Sequence, residues 1–201
     1  FHAALKGNAT NVVLKNKDLE LTINSKGGVV SKAVIKNFED RNGNKDVTLF
    51  DSSTQSLNFA LAAKNVNINT ADLYFTPSNQ TDSTVTMTAE AGKGKALVIN
   101  YVLGKDYMLH TQMQAVGMAN DFAPSTSQMD VQWKDLVRQQ ERGFTFENRY
   151  ASLTYHKTDG GTDYLSEAKN LKDETIEDKI DWVAFKNQFF SAVMIAKNDF
   201  A

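Results

Sequence analysis

Apolar and polar residues alternate with a period of two along much of this chain. In Thr84-Val85-Thr86-Met87-Thr88-Ala89 the threonines share one face and Val85, Met87 and Ala89 the other, which predicts a half-buried strand. Asp18-Leu19-Glu20-Leu21-Thr22-Ile23-Asn24 repeats the pattern, with Leu19, Leu21 and Ile23 inward, and Leu57, Phe59 and Leu61 give a third case. Ala96–Leu103 is apolar on almost both faces and predicts a central strand covered twice. Turn residues fall between these runs. Arg41-Asn42-Gly43-Asn44 separates Val30–Lys36 from Val47–Phe50, and Gly92-Lys93-Gly94 precedes the apolar strand as a hairpin tip. Strand-like runs recur about every 8–14 residues, the rhythm of a sandwich or barrel. No longer repeat is present, which argues against a solenoid or propeller.

After Asn120 the rhythm loosens. Residues 121–127 read as a loop, and Trp133 to Arg142 as one or two helical turns. Leu165 to Ile180 is polar and acidic and reads as a surface excursion with some helix, within a longer irregular segment Tyr155–Asp181. Strand patterns return at Trp182–Phe185 and Phe189–Ile195. The expectation is one mainly β domain over 1–201, a large antiparallel β-sandwich with short helical excursions.

Composition narrows the function. The 201 residues include 18 Asn and 17 Thr but only 2 Pro, a usage that suits strands joined by polar turns. Lys and Arg total 22 against 24 acids, a balance that lacks the basic excess of a nucleic-acid binder. With no Cys there are no disulfides, thiolate metal sites or cysteine nucleophiles. No apolar run approaches the ~20 residues that span a bilayer as a helix. The chain starts Phe-His-Ala without Met, as a segment excised from something longer would.

Candidate chemistry is sparse. His110, placed with Met108 and Gln112 on a strand whose other face carries Tyr107, Leu109 and Met113, reads as an exposed polar-face residue. His156, which shares its face with Ser152 and Thr154, reads the same way; His2 is terminal. A general base in a cleft is the rival reading for His110 and His156. Asp159-Gly160-Gly161-Thr162-Asp163 has two carboxylates but too few oxygen ligands for a calcium loop, and reads as a turn. Phosphate-cradle and nucleophile-elbow motifs are absent from the sequence, so no catalytic, metal or cofactor residue is assigned. Asn8-Ala9-Thr10 and Asn79-Gln80-Thr81 match the short glycosylation sequon. Trp133, Trp182, Phe185, Phe189 and Phe190 are expected in the sandwich core, with a cleft floor for a peptide or sugar ring as the alternative.

Two segments carry a family resemblance. Asn16 to Val30 runs a strand into Gly27-Gly28, and Asp181-Trp182-Val183-Ala184-Phe185-Lys186-Asn187-Gln188-Phe189-Phe190-Ser191-Ala192 has a Trp-Val-Ala group before paired aromatics. In order and separation they resemble the large periplasmic domain of the YidC membrane protein insertases. Residues 138–150 and the Asn- and Lys-rich wording look most like the Bacteroidetes branch. The resemblance implies a galactose-mutarotase-like supersandwich on the periplasmic face of the Gram-negative inner membrane. It further implies a missing set of C-terminal strands and a missing linker to the next transmembrane helix. Gly27, Gly28, Trp182, Phe189 and Phe190 are then structural residues. The implied role is a non-catalytic binding and scaffold module, without cofactor or nucleic acid, in contact with SecD–SecF or nascent membrane proteins. Thr162, Glu167 and Glu174, in the irregular segment Tyr155–Asp181, are the expected partner-contact rim. A carbohydrate-binding or mutarotase-like domain is the alternative, because fold alone does not transfer function.

Overall fold

A computed structural model describes residues 1–64, 66–123, 128–166 and 173–201. The fold is a mainly β sandwich of antiparallel sheets. Strands β1 (Asn11–Lys15), β2 (Leu19–Asn24), β3 (Val29–Glu39) and β4 (Lys45–Phe50) form the first sheet in chain order. After β5 (Gln55–Ala62) and β6 (Asn67–Asn69), the chain builds a second four-stranded sheet. It comprises β7 (Thr76–Ser78), β8 (Thr84–Gly92), β9 (Lys95–Leu103) and β10 (Leu109–Val116), in the order β10-β9-β8-β7. The main core lies between these two sheets. Val12, Leu14, Leu21 and Ile23 from the first meet Val85, Met87, Leu97 and Ile99 from the second, all at most 5% exposed. The Tyr101 hydroxyl, in the same layer, donates to the Gly28 carbonyl at 2.7 Å and so ties the two sheets together.

The second half adds two further sheets. β11 (Asp130–Asp135) pairs with β5, in the order β11-β5-β6. A five-residue helix α1 (Phe144–Asn148) precedes β12 (Ser152–Lys157), β13 (Thr162–Ser166), β14 (Ile180–Lys186) and β15 (Ser191–Phe200), arranged β13-β12-β14-β15. A smaller apolar contact joins these sheets. Trp133 of β11 meets Phe185 of β14 edge to face at 4.7 Å, beside a cavity of about 180 Å³ lined by Val131, Leu153, Val183 and Met194. Among the described residues no helix is long and apolar enough to cross a membrane.

The alternating strands hold as expected: Leu19, Leu21, Ile23, Val85, Met87 and Ala89 are buried. Gly92 and Gly94 flank the β8–β9 hairpin tip, and Asp159–Gly161 turns between β12 and β13. Several expectations need correction. β9 is covered on one face only, and Val102 is 46% exposed. Its outer positions lie across from the threonine row of β8, where Val98 pairs Thr88, Asn100 pairs Thr86 and Val102 pairs Thr84. The β-branched residues there reflect strand preference rather than burial. Trp133 lies in a strand, not a helix, because Val131 and Trp133 pair with Phe59 and Leu57 on the β5 register. The helical turn sits later, at α1. Tyr107 is exposed in the loop before β10, while Leu109 and Met113 pack on the core. The longer irregular segment from Tyr155 opens as an ordinary hairpin, β12–β13; of the excursion from Leu165, residues 167–172 lie outside the described residues and 173–179 carry no regular structure.

Candidate functional site

The aromatics of the second half give the largest departure. None of Trp133, Trp182, Phe185, Phe189 and Phe190 is fully buried. Phe190 leans on the core, Trp182 is half-buried and Phe189 is 65% exposed. The reason is local. Lys186 pairs with Ser191 at the end of β14–β15, so Phe189 and Phe190 belong to the tight turn between the strands rather than to a strand face. Asn187, only 3% exposed, holds that turn. Its side-chain oxygen accepts from the backbone N–H of Phe189 (3.1 Å) and Phe190 (2.9 Å), and its amide donates to the Arg138 carbonyl (3.3 Å). Phe189 therefore presents an exposed apolar ring on a turn whose backbone is held.

Two other exposed aromatics stand beside it. Phe38 comes from an irregular stretch of β3: Ile35 pairs Val47 and Glu39 pairs Lys45, so residues 36–38 oppose Asp46 alone. Asn37 and Asp46 both adopt positive φ, a conformation that short polar side chains tolerate, and the Asn37 N–H donates to the Asp46 carboxylate at 2.8 Å. The bulge leaves Phe38 48% exposed, edge-on to Phe190 at 5.6 Å. Tyr107, 52% exposed, sits in the β9–β10 loop. Asn16 clamps that loop by donating to the carbonyls of Gly104 (2.9 Å) and Asp106 (2.7 Å), while its oxygen accepts from the N–H of Asp18 and Leu19.

Phe38, Tyr107, Phe189 and Phe190 line one groove of about 560 Å³, whose charged lining is Glu39 and Glu141. Among the described residues neither glutamate forms an ion pair within 4 Å, although Lys45 lies across from Glu39 in the ladder. The nearby Arg41 and Arg142 are engaged elsewhere, on the Gln139 side chain and the Arg41 carbonyl. Glu141 is placed by Glu147, a carboxylate only 3% exposed. Glu147 accepts the Gln140 N–H at 2.9 Å and the Glu141 N–H at 3.0 Å. Glu147→Ala leaves two N–H groups without their acceptor and is expected to cost about 2–3 kcal/mol, with Glu147→Gln recovering part of it; denaturant titration of both variants measures this.

A second polar cluster lies on the neighbouring wall. Arg138 is ion-paired to Asp51, whose carboxyl is held below its ordinary value by Ser53 and then by Arg138. Burial pushes Asp135 up to about 6, against the pull of Arg138, and one Asp135 oxygen is buried without a hydrogen bond. A carboxyl whose folded-state pKa lies above its unfolded value penalises the fold above that pKa, and the penalty vanishes below the unfolded value. Asp135→Asn is therefore expected to stabilise the protein relative to wild type above pH 6, by about 1 kcal/mol after discounting for partial exposure. The gain fades between pH 6 and pH 4, and melting curves of the two proteins across that range test it.

The other sequence-predicted residues do not converge. His110 is exposed on β10, as expected. His156 is not a free polar-face residue: its Nδ1 lies 2.9 Å from Asp181 Oδ1, and its ring stacks on Trp182 at 5.8 Å. The β12–β14 register, which sets His156 opposite Trp182, explains the stacking. The two histidines belong to different sheets, and none of their hydrogen bonds among the described residues joins them. Gly27 and Gly28 take φ of 86° and 66°, the left-handed turn for which their lack of Cβ suits them. Thr162 is exposed at the start of edge strand β13, and Glu174 is exposed outside regular structure; Glu167 lies outside the described residues. Asn16 and Asn187, which set the aromatic groove, were not assigned from sequence. Each lies within one of the two family-like segments, and an Asn beside a turn was the available signal.

Residues 11–201 match the family model of the YidC periplasmic domain. The chain belongs to that family. It is similar to a membrane protein insertase YidC of Phocaeicola vulgatus, 44% identical over 201 residues, and to one of Bacteroides fragilis, 39% identical over 201. In both comparisons the whole of this chain covers 32% of the relative. A YidC of Porphyromonas gingivalis is 30% identical over 200 residues. The chain thus spans about a third of the length of the curated YidC relatives it matches. These relatives are Bacteroidetes, the branch that the sequence resembles. No solved structure matches the chain significantly.

Proposed function

We propose that this YidC periplasmic domain is a non-catalytic binding and scaffold module of an inner-membrane insertase, facing the periplasm. SecD–SecF and nascent membrane segments are its candidate contacts, and Thr162, Glu167 and Glu174 belong to an acidic contact surface. The observation that carries this reading is Phe189, exposed on a turn whose backbone the buried Asn187 holds. Large apolar rings held in solvent on rigid turns suit contact with another polypeptide, because little conformational freedom remains to be lost on binding. Photo-crosslinking probes at Thr162, Glu167, Glu174 and Phe189 of the intact membrane protein test it. The expected result is capture of SecD–SecF or of a nascent chain from at least one position. Capture from none, or turnover of aldoses by the purified domain, overturns it.

A further inference from the structure

On the binding-module reading, on which this assignment rests, the aromatic groove has a chemistry that selects among polypeptides. Its walls come from four distant parts of the chain: β3, the β9–β10 loop, the segment at Glu141 and the β14–β15 turn. Three of its rings, Phe38, Tyr107 and Phe189, are about half exposed or more. Each is held by its own local device: the β3 bulge, the Asn16 clamp and the Asn187 turn. Phe190 forms the floor, packed on the main core. Both family-like segments, more than 150 residues apart, serve the groove: one clamps the Tyr107 loop through Asn16, and the other supplies Asn187, Phe189 and Phe190.

Charge settles the kind of occupant. The only charged residues in the lining are two glutamates free of ion pairs among the described residues. Glu141 is also half-buried, where an unpaired carboxylate gains most from an incoming cation. We infer that this groove binds an extended polypeptide segment that presents an aromatic or large aliphatic side chain flanked by Lys or Arg. The apolar side chain enters between Phe38, Tyr107 and Phe189, and the flanking cations meet Glu39 and Glu141.

The experiment uses this chain and a fluorescent peptide, Ser-Gly-Lys-Phe-Lys-Leu-Lys-Gly-Ser, read by anisotropy. Saturable binding is expected, and the same peptide with Glu in place of Lys should bind at least about tenfold more weakly. Phe189→Ser combined with Tyr107→Ser should weaken binding at least about tenfold, the loss typical of an aromatic anchor, with the melting temperature unchanged because both rings are exposed. Phe38→Ser provides an independent second variant. Glu39→Gln with Glu141→Gln should weaken binding about threefold or more and flatten its dependence on salt. Absence of binding, equal affinity for the acidic and basic peptides, or wild-type affinity in the aromatic variants overturns the inference. Such a failure, alongside crosslinked partners from the probes at Thr162, Glu167 or Glu174 but none from Phe189, rejects this groove while leaving the binding-module reading standing. A lack of crosslinks rejects that reading instead.

Discussion

Gly28→Ala is expected to destabilise the fold by about 3 kcal/mol, which for a chain of this size lowers the melting temperature by about 6–12 °C. Two causes add. At φ 66° any L side chain is strained, at about 1–2 kcal/mol. A Cβ there would also stand 2.8 Å from Phe75 Cδ2 and 2.9 Å from Cγ, against a ring that is 3% exposed and has little room to move. The same Gly28 carbonyl accepts the buried Tyr101 hydroxyl, so a shift of the backbone to relieve the clash loosens the bond between the two main sheets. Gly27 is the internal control. Its φ is 86°, but an added Cβ would meet nothing closer than Val29 Cγ2 at 3.5 Å. Gly27→Ala should therefore cost only the strain, about 1–2 kcal/mol. Equal losses in denaturant titrations of the two variants would show that Phe75 yields.

The first half of the fold was legible because one rule governs it. β2 and β8 each have a single buried face, so Leu19-Leu21-Ile23 and Val85-Met87-Ala89 advertise their orientation in the sequence, whereas β9, apolar on both faces, read as covered twice. The second half obeys two rules at once. Trp133 alternates correctly for β11 but neighbours Leu136, an exposed apolar residue that blurs the period. In the Trp-Val-Ala segment, Val183 and Phe185 face the Trp133 layer while Trp182 faces His156 on the other side. Apolar residues on both faces of a strand read as double burial, whereas here one face is only half covered. The groove was illegible for a different reason. Its residues come from positions 35 to 191, and the side chains that hold the loops carrying two of its rings are Asn16 and Asn187, which lack any hydrophobic signature. The family-like motifs drew attention to Phe189 and Phe190; the assumption that large aromatics belong in the core fits Phe190, which leans on it, but not Phe189, which is 65% exposed.

That distinction sets the last expected result. Ile99→Ala should cost about 4 kcal/mol, and Phe189→Ala less than about 0.5 kcal/mol, although phenylalanine is the larger residue. Ile99 is 0% exposed at the centre of β9, paired with Met87 on β8 and Met113 on β10, so truncation opens a cavity that two hydrogen-bonded neighbours prevent from collapsing. Phe189 is 65% exposed, and its turn is held by the Asn187 side chain rather than by its own ring. Asn187→Ala, in contrast, removes the acceptor of two backbone N–H groups and should cost about 1–3 kcal/mol while leaving the Phe189 ring in place chemically. Denaturant titration should thus rank the variants Ile99→Ala, then Asn187→Ala, then Phe189→Ala. A Phe189→Ala loss comparable to that of Ile99→Ala would place the ring in a packed core after all and remove the main support for the groove. The expected order instead separates what the turn does for stability, through Asn187, from the contact role proposed for its exposed ring.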